Sequence, residues 1–252
     1  MLDPAMIALA AAAGMLGGAM NALAGGGTFA TMPALIAIGL PSPIANATSN
    51  VALQPGAIAS AWTYRRGLGP IGGVGVHTLA AITFVAGIVG SLLLVVTPSQ
   101  VFDVVVPWLL LVATIAIAFG KRAAEILQRH ASPGPRALVA AQVLLGVYGG
   151  YFGGGVGLML TATWGLLAGE PPHRLMAPRT LMLAMANAAA TLVFASFGMV
   201  RWDACVPMLA GALVGGWAGA HLGKRLSPGL VRGWTLIVTT VTTIVFFVRA
   251  YG

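Results

Sequence analysis

The sequence predicts an all-α polytopic membrane protein made of two inverted repeats, each with a glycine-broken re-entrant hairpin and three transmembrane helices. The composition, an internal repeat and the distribution of cations lead to this prediction. Of the 252 residues, 58% are hydrophobic and 7% are charged, whereas about a quarter of the residues in soluble domains are charged. Such a chain has little polar surface to present to water, so lipid is its expected solvent.

The helices are predicted from successive apolar runs, several of which reach the roughly 20 residues needed to cross a bilayer. We read the chain as one membrane transport domain over residues 1–252, with repeat one at 5–120, a polar cytoplasmic linker at 121–136 and repeat two at 137–249. The predicted helices are residues 5–24, 28–39, 44–64, 74–96, 102–120, 137–152, 156–168, 174–197, 204–222 and 230–248.

The two repeats are recognised by ordered landmarks on either side of the linker. The segment LGGAMNALAGGG, which ends at Gly27, aligns with LLGVYGGYFGGG, which ends at Gly155, at an offset of 128 residues. Three further landmarks keep nearly the same offset, at 130, 131 and 130 residues: Pro41 with Pro171, Gly67 with Gly198, and Pro98 with Pro228. We therefore infer that the halves arose by duplication.

The orientation of the halves is predicted from the excess of Lys and Arg on the cytoplasmic side of membrane proteins. If each pair of short segments around a glycine run forms a hairpin, 11 of the 13 Lys and Arg residues fall on one side. If each pair instead makes one broken crossing, the halves are parallel and the split is 8 against 5. The first arrangement predicts inverted halves with both termini outside. It also holds if both short segments span fully, but residues 28–39 reach only about 18 Å, which favours a re-entrant hairpin.

The glycine runs at residues 25–27 and 153–155 are the first candidate binding elements. Three adjacent glycines are unfavourable inside a helix, and broken helices at matching places in two halves indicate a transport site. The freed amides and the N-terminus of the following helix suit an anion. The alternative is that the glycines only allow close helix packing.

Polar residues after each hairpin complete the candidate site. The stretch PSPIANATSN places several polar side chains at the start of an apolar span, and the repeat pairs Ser49 with Arg179 and Asn50 with Thr180. For the polar residues of PSPIANATSN, the alternative is that they cap the helix. For Arg179, the alternative is that its side chain extends towards the lipid headgroups. The candidate substrate-binding residues are Gly25, Gly26, Gly27, Thr28, Asn46, Thr48, Ser49, Asn50, Gln54, Gly153, Gly154, Gly155, Arg179 and Thr180.

Several function classes are disfavoured by the sequence. The net charge is +8, but the cations are too scattered for a nucleic-acid interface. The single Cys205 excludes a disulfide within one chain, and no metal-ligand spacing of Cys and His is present. The four His residues do not accompany a plausible nucleophile, which disfavours an intramembrane enzyme. No cofactor or metal is expected.

The quoted motifs also carry a resemblance. AGGGTFATMPALIAIGLPSPIANATSN, at residues 24–50, and its weaker echo GGYFGGGVGLML, at residues 149–160, resemble the sulfite exporter TauE/SafE family, also called toluene sulfonate uptake permeases. The resemblance implies transport of sulfite, a sulfonate, sulfoacetate or a related anion, driven by an ion gradient or by the gradient of the substrate itself. The second half departs from the pattern, because GEPPHRLMAPRT stands where another ATS-like stretch is expected.

The expected function is that of a secondary transporter for a small anion in the cell (inner) membrane, with an anion channel or an intramembrane enzyme as alternatives. The expected partners are the anionic solute, a coupling proton or sodium ion, and membrane lipid; no nucleic acid is expected, and the oligomeric state is open. Two structural expectations follow from the repeat. The two glycine runs should lie close together near mid-membrane, related by a pseudo-two-fold axis in the membrane plane. Arg179 should join Thr48, Ser49 and Asn50 in one anion site with the amides of the glycine runs.

Overall fold

A computed structural model describes residues 3–128, 134–170, 172–223 and 226–252 of the chain. Within these ranges the regular structure consists of ten α-helices and a single 3-10 turn at Arg65–Gly67. The helices are α1 Pro4–Ala24, α2 Thr28–Ala37, α3 Ser42–Tyr64, α4 Val76–Val96, α5 Ser99–Gln128, α6 Pro135–Tyr151, α7 Val156–Ala168, α8 Pro172–Ser196, α9 Trp202–Gly223 and α10 Pro228–Tyr251.

Each predicted helix is present, so the all-α prediction is confirmed. The clearest correction concerns the linker at 121–136, because α5 continues to Gln128 and α6 already begins at Pro135. The segment KRAAEILQ consists of residues with good helix propensity, and nothing in it breaks the helix. Residues 129–133 of the predicted linker lie outside the described residues.

Five helices of the described part of the chain are long and apolar enough to cross a membrane: Pro4–Ala24, Val76–Val96, Ser99–Gly120, Arg174–Ser196 and Gly229–Tyr251. The helix α3 has 23 residues but carries the polar stretch that lowers its hydropathy. By contrast, α2 has 10 residues and α7 has 13, which gives lengths of about 15 Å and about 20 Å against about 30 Å of hydrocarbon. The chain is therefore a multi-pass membrane protein with two helices too short to cross.

Both short helices fold back on the helix before them. At Gly17 in α1, an added Cβ would lie 2.5 Å from the Thr31 Cγ2 of α2 and 2.9 Å from the Gly27 carbonyl oxygen. In the other half, Trp164 Nε1 of α7 donates to Gln142 Oε1 of α6 at 3.0 Å. Gly25, with φ 78°, and Gly155, with φ 73°, supply left-handed backbone at the reversals, which glycine adopts readily. The glycine runs therefore make two helical hairpins.

Two seams of small residues join the halves. Gly18 of α1 packs against the Ala212 backbone of α9, and Gly215 of α9 packs against the Met15 backbone of α1. Gly90 of α4 likewise packs against the Val147 backbone of α6. Residue numbers rise together along both seams, from Gly14–Met208 to Gly18–Ala212 in the first and from Thr83–Gly146 to Gly87–Gly150 in the second. The helix α1 therefore runs parallel to α9, and α4 runs parallel to α6. Such seams allow helix backbones to approach closely in a membrane, where van der Waals packing drives association.

Corresponding helices of the two halves run antiparallel. In α3 and α8, Gln54 Nε2 donates to the Ala184 carbonyl at 3.3 Å, while Gly67, just beyond α3, packs on Ala177 near the start of α8. In α5 and α10, Arg232 Nη2 donates to the Ala118 carbonyl at 2.7 Å. At the other end of the same pair, Tyr251 Oη donates to the Val104 carbonyl at 3.1 Å. These contacts are consistent with the predicted inverted repeat.

Candidate binding site at the paired helix breaks

The two glycine runs meet inside the bundle. An added Cβ at Gly25 would lie 3.0 Å from the Gly157 Cα, and one at Gly157 would lie 3.1 Å from the Gly25 Cα. An added Cβ at Gly155 would lie 3.0 Å from the Phe29 ring of the first half. The prediction that the two runs lie close together is therefore confirmed. We call this contact region, residues 25–29 and 153–157, the glycine junction.

Both glycine runs contain backbone amides that donate to no backbone carbonyl of the described residues. In the first run, the Gly25 amide donates to the Asn21 carbonyl at 2.9 Å, but the amides of Gly26, Gly27 and Thr28 have no backbone acceptor among the described residues. In the second run, the Gly153 amide donates to the Tyr148 carbonyl, and those of Gly154 and Gly155 have no such acceptor in the described chain. The helices α2 and α7 both begin here, and helix N-termini favour negative charge.

The opposing carbonyls at the end of α6 are occupied by side-chain donors. Asn46 Nδ2 donates to the Tyr151 carbonyl at 3.1 Å, and Ser91 Oγ donates to the Gly150 carbonyl at 3.1 Å. A helix C-terminus carries partial negative charge, which would oppose an anion at the glycine junction. These two bonds reduce that opposition at the second break.

Asn50 is the side chain that contacts the second glycine run. It is 2% exposed, and its Nδ2 lies 2.7 Å from the Cβ position of Gly153, so glycine is the residue that leaves room for the amide. The Nδ2 group has no hydrogen-bond partner, and neither has Asn46 Oδ1 four residues earlier. Buried polar side chains are usually hydrogen-bonded, so these two atoms keep an unused donor and an unused acceptor beside the glycine junction.

The other predicted residues of α3 contact protein groups. The Ser49 hydroxyl shares a 2.5 Å hydrogen bond with Thr31 Oγ1, which also donates to the Gly27 carbonyl at 3.1 Å. Thr48 Oγ1 accepts from the Arg201 amide at 3.1 Å and so bonds the segment before α9 rather than facing the glycine junction. Gln54 joins α3 to α8 through its amide nitrogen, and its Oε1 has no partner.

Arg179 does not join the α3 residues, which corrects the expectation of a single site. Ser49 and Arg179 each precede the Gln54–Ala184 crossing by five residues in antiparallel helices, so they lie on opposite sides of it. Their separation along the helix direction is about 15 Å. Gly67, just beyond α3, packs on Ala177, two residues before Arg179, so Arg179 lies near the end of α3. The repeat relates equivalent residues, but its inversion places them apart.

Arg179 is also buried rather than extended to the headgroups. The residue is 7% exposed, and Nη2 contacts Met176 Sδ at 3.0 Å. Its neighbour Thr180 donates to the Ala177 carbonyl at 2.9 Å within α8. The expectation that Arg179 binds ligand stays a prediction, while extension into the headgroup layer does not agree with this burial.

Sequence reasoning missed two features near these residues. Thr31 connects the first hairpin to Ser49 by a hydrogen bond. The sequence feature that could have identified it is a hydroxyl residue one helical turn after a glycine run. Thr242 of α10 donates to the Phe29 carbonyl at 3.3 Å, so α10 contacts the first turn of α2. Thr242 belongs to a set of buried α10 threonines that resembles an ordinary β-branched membrane helix in sequence: Thr235, Thr239, Thr242 and Thr243.

An ion pair outside the junction lies at the start of α9. Arg201 donates to both carboxylate oxygens of Asp203, at 3.1 and 3.0 Å, and this hydrogen bonding raises the pKa of the arginine above its ordinary value. The described residues contain no group of three or more His, Cys, Asp and Glu placed to hold a metal ion.

A cavity of about 230 Å³ lies between α5 and α7, and its lining is mostly apolar, including Ile115, Phe119 and Leu166.

Two helices broken at matching glycines and brought together inside an apolar bundle define a class, that of membrane transport proteins. The sequence model of the sulfite exporter TauE/SafE family matches residues 10–246. The chain therefore belongs to this family.

Named relatives are similar over nearly their whole length. The chain is 28% identical over 256 residues to the Escherichia coli K12 protein named probable membrane transporter protein YfcA, which covers all of this chain and 93% of that protein. A Haemophilus influenzae probable membrane transporter protein is 23% identical over 94% of this chain and 93% of its own. The Sinorhizobium protein named probable membrane transporter protein ORF9 is 25% identical over 95% and 91%. No solved structure matches significantly.

Proposed function

We propose that this protein is a secondary transporter that moves a small organosulfur or related anion, such as sulfite, a sulfonate or sulfoacetate, across the cytoplasmic membrane. The contact between the two glycine breaks is the observation that carries the proposal. It brings unpaired amides of both halves and the Asn50 Nδ2 donor to one buried place. A group of donors without internal acceptors suits an oxyanion.

The chemistry of the surroundings supports an anion over a cation. The described acidic residues lie near helix ends or in a loop, as with the Asp3 cap of α1, Asp103 just after the first turn of α5 and Glu170 before α8. Sulfite and sulfonates present several oxygens that can accept bonds from separate amides. The family's description as sulfite exporters supports a sulfur oxyanion as the first compound to test.

Alternating access is the proposed mechanism. The antiparallel relation of α3 with α8 and of α5 with α10 supports two inverted repeats, and such repeats can exchange two equivalent packings around a shared site. The short hairpins would enter and leave on one side, with both termini outside. A proton or a sodium ion is the proposed coupling ion.

Counterflow in proteoliposomes tests the proposal. We expect purified protein to exchange internal unlabelled sulfite for external labelled sulfite, with a rate that saturates and is stimulated by internal substrate. The panel includes sulfoacetate, taurine, sulfate and simple carboxylates, with protein-free liposomes as the control. Flux that does not saturate and shows no trans-stimulation would indicate the alternative, an anion channel. Absence of flux for all compounds would contradict transport of this class.

A further inference from the structure

Arg179 presents a charge with no counter-ion in the described structure. Its guanidinium has five N–H donors in a fixed plane, and the side-chain hydrogen bond found for it goes to the sulfur of Met176, a weak acceptor. A charge held away from water without a partner is strongly unfavourable. The burial of this side chain, at 7% exposure, therefore points to a negatively charged partner that binds reversibly.

The acidic side chains that are described do not supply that partner. The ion pairs found in the described residues join Arg174 to Glu170 and Arg201 to Asp203. Asp3 caps α1, and Asp103 lies at the start of α5. The side chain of Glu125 is outside the described residues, so it enters the experiment below as a separate variant.

The position of Arg179 separates it from the polar residues of α3. It lies on the far side of the Gln54–Ala184 contact, about 15 Å from Ser49 along the helix direction. Ser49, its counterpart in the repeat, is a neutral residue already bonded to Thr31. The two halves therefore offer unlike chemistry at equivalent places: a neutral hydroxyl on one side of the crossing and a planar cation on the other.

We propose that Arg179 forms a second anion-binding station, distinct from the glycine junction and nearer the end of the bundle where α8 begins. Its ligand is a small oxyanion, a sulfite or the sulfonate or carboxylate group of a longer solute, held by two parallel N–H···O bonds from the guanidinium. The proposal rests on the proposed function in taking this anion to be the transported solute.

Binding of labelled sulfite to detergent-purified protein, at constant ionic strength in chloride, tests the two stations separately. We expect Asn50→Leu, which alters the junction, to retain binding at Arg179, and Arg179→Met to lose binding at the second station by roughly thirtyfold or more. The double variant should bind no sulfite. Arg174→Met is the matched control on the same helix, because its side chain is 70% exposed and paired with Glu170; it should bind as the wild type does.

The outcomes separate this proposal from the proposed function. If Arg179→Met binds sulfite as the wild type does, Arg179 is not an anion-binding station, whatever the counterflow experiment shows. If Arg179→Met loses all binding and Asn50→Leu loses none, the station stands and the junction is not a site. If counterflow fails for every compound while Arg179→Met still removes binding, the station stands and the transport proposal fails.

Thermal unfolding provides the structural control. Without anion, Arg179→Met should unfold at a temperature equal to or above that of the wild type, because an unpaired buried charge has been removed. Arg179→Lys should retain part of the binding, since an ammonium lacks the planar fork. A stability loss shared non-additively by Glu125→Gln and Arg179→Met would identify a carboxylate partner and overturn the proposal. Stabilisation by phosphatidylglycerol but not by sulfite would reassign the site to a lipid headgroup.

Discussion

At the scale of single residues, the candidate site is defined by donors that lack acceptors. Asn50 Nδ2 is buried against Gly153, whose φ of 76° and missing side chain make the close approach possible. An unsatisfied buried amide lowers stability by about 1 to 3 kcal/mol. A ligand bound at the proposed site would satisfy this amide, which makes Asn50 the most informative position in the junction.

Replacing Asn50 should therefore separate binding from stability. We expect Asn50→Leu to weaken sulfite binding at the junction by roughly tenfold, the value of a hydrogen bond to a charged group, while the unfolding temperature stays equal or rises. Asn50→Asp should weaken it further, because a carboxylate repels the anion. Ser42→Ala is the control, because Ser42 lies earlier in α3 and its buried hydroxyl also has no hydrogen-bond partner. Unchanged affinity in a folded Asn50→Asp protein would remove Asn50 from the site.

At the scale of elements, the bundle combines tight seams with short hairpins. The seams of α1 with α9 and of α4 with α6 bring backbones into contact at glycines, whereas α2 and α7 are short helices held by a few polar bonds such as Thr242 to Phe29. Close seams resist shear because packed interiors deform little. We therefore expect the seams to move as units and the hairpins to supply the smaller local adjustments.

Adjacent glycines of α9 test the seam directly. An added Cβ at Gly215 would overlap the backbone carbonyl of Met15, whereas one at Gly216 would have its nearest neighbour, the Gly18 carbonyl oxygen, at 3.7 Å. We expect Gly215→Ala to lower the thermal unfolding temperature in detergent by several degrees or to prevent folding. Gly216→Ala should leave it unchanged or raise it, since alanine is the better helix former by about 1 kcal/mol. Equal effects of the two would contradict the packing described here.

Most elements were predictable because membrane helices are long apolar runs interrupted by glycine and proline. The missed extension of α5 to Gln128 has a physical reason: charge ended the apolar run at Lys121, but helix propensity did not end there. The glycine junction was predictable from the repeat. The place of Arg179 relative to Ser49 was not predicted. Sequence alignment pairs these two residues, but α3 and α8 are antiparallel, so equivalent residues lie farther apart the farther each is from the Gln54–Ala184 contact.

At the scale of the whole molecule, antiparallel equivalents give the bundle two unlike ends. One end gathers the Thr48–Arg201 contact and the Arg201–Asp203 pair, and the other gathers the start of α8, with Arg174 and Arg179. The cation distribution predicts that the second end faces the cytoplasm. The pathway would then have neutral polar groups towards the outside and the Arg179 guanidinium towards the cytoplasm. A transported anion would therefore occupy the junction and the Arg179 station in a fixed order, and the membrane potential would act on it along the same direction.

Cysteine labelling in whole cells tests this orientation. The background is Cys205→Ser, because the native cysteine is buried and must not contribute. We expect an impermeant maleimide added outside to label Gln100→Cys, an exposed position in the first turn of α5. It should not label Ser132→Cys in the predicted cytoplasmic linker, a position outside the described residues. Detergent lysis should make Ser132→Cys reactive, which controls for expression. The reverse pattern in intact cells would place the termini in the cytoplasm and Arg179 at the outer end, and labelling of both positions would rule out the predicted three crossings per half.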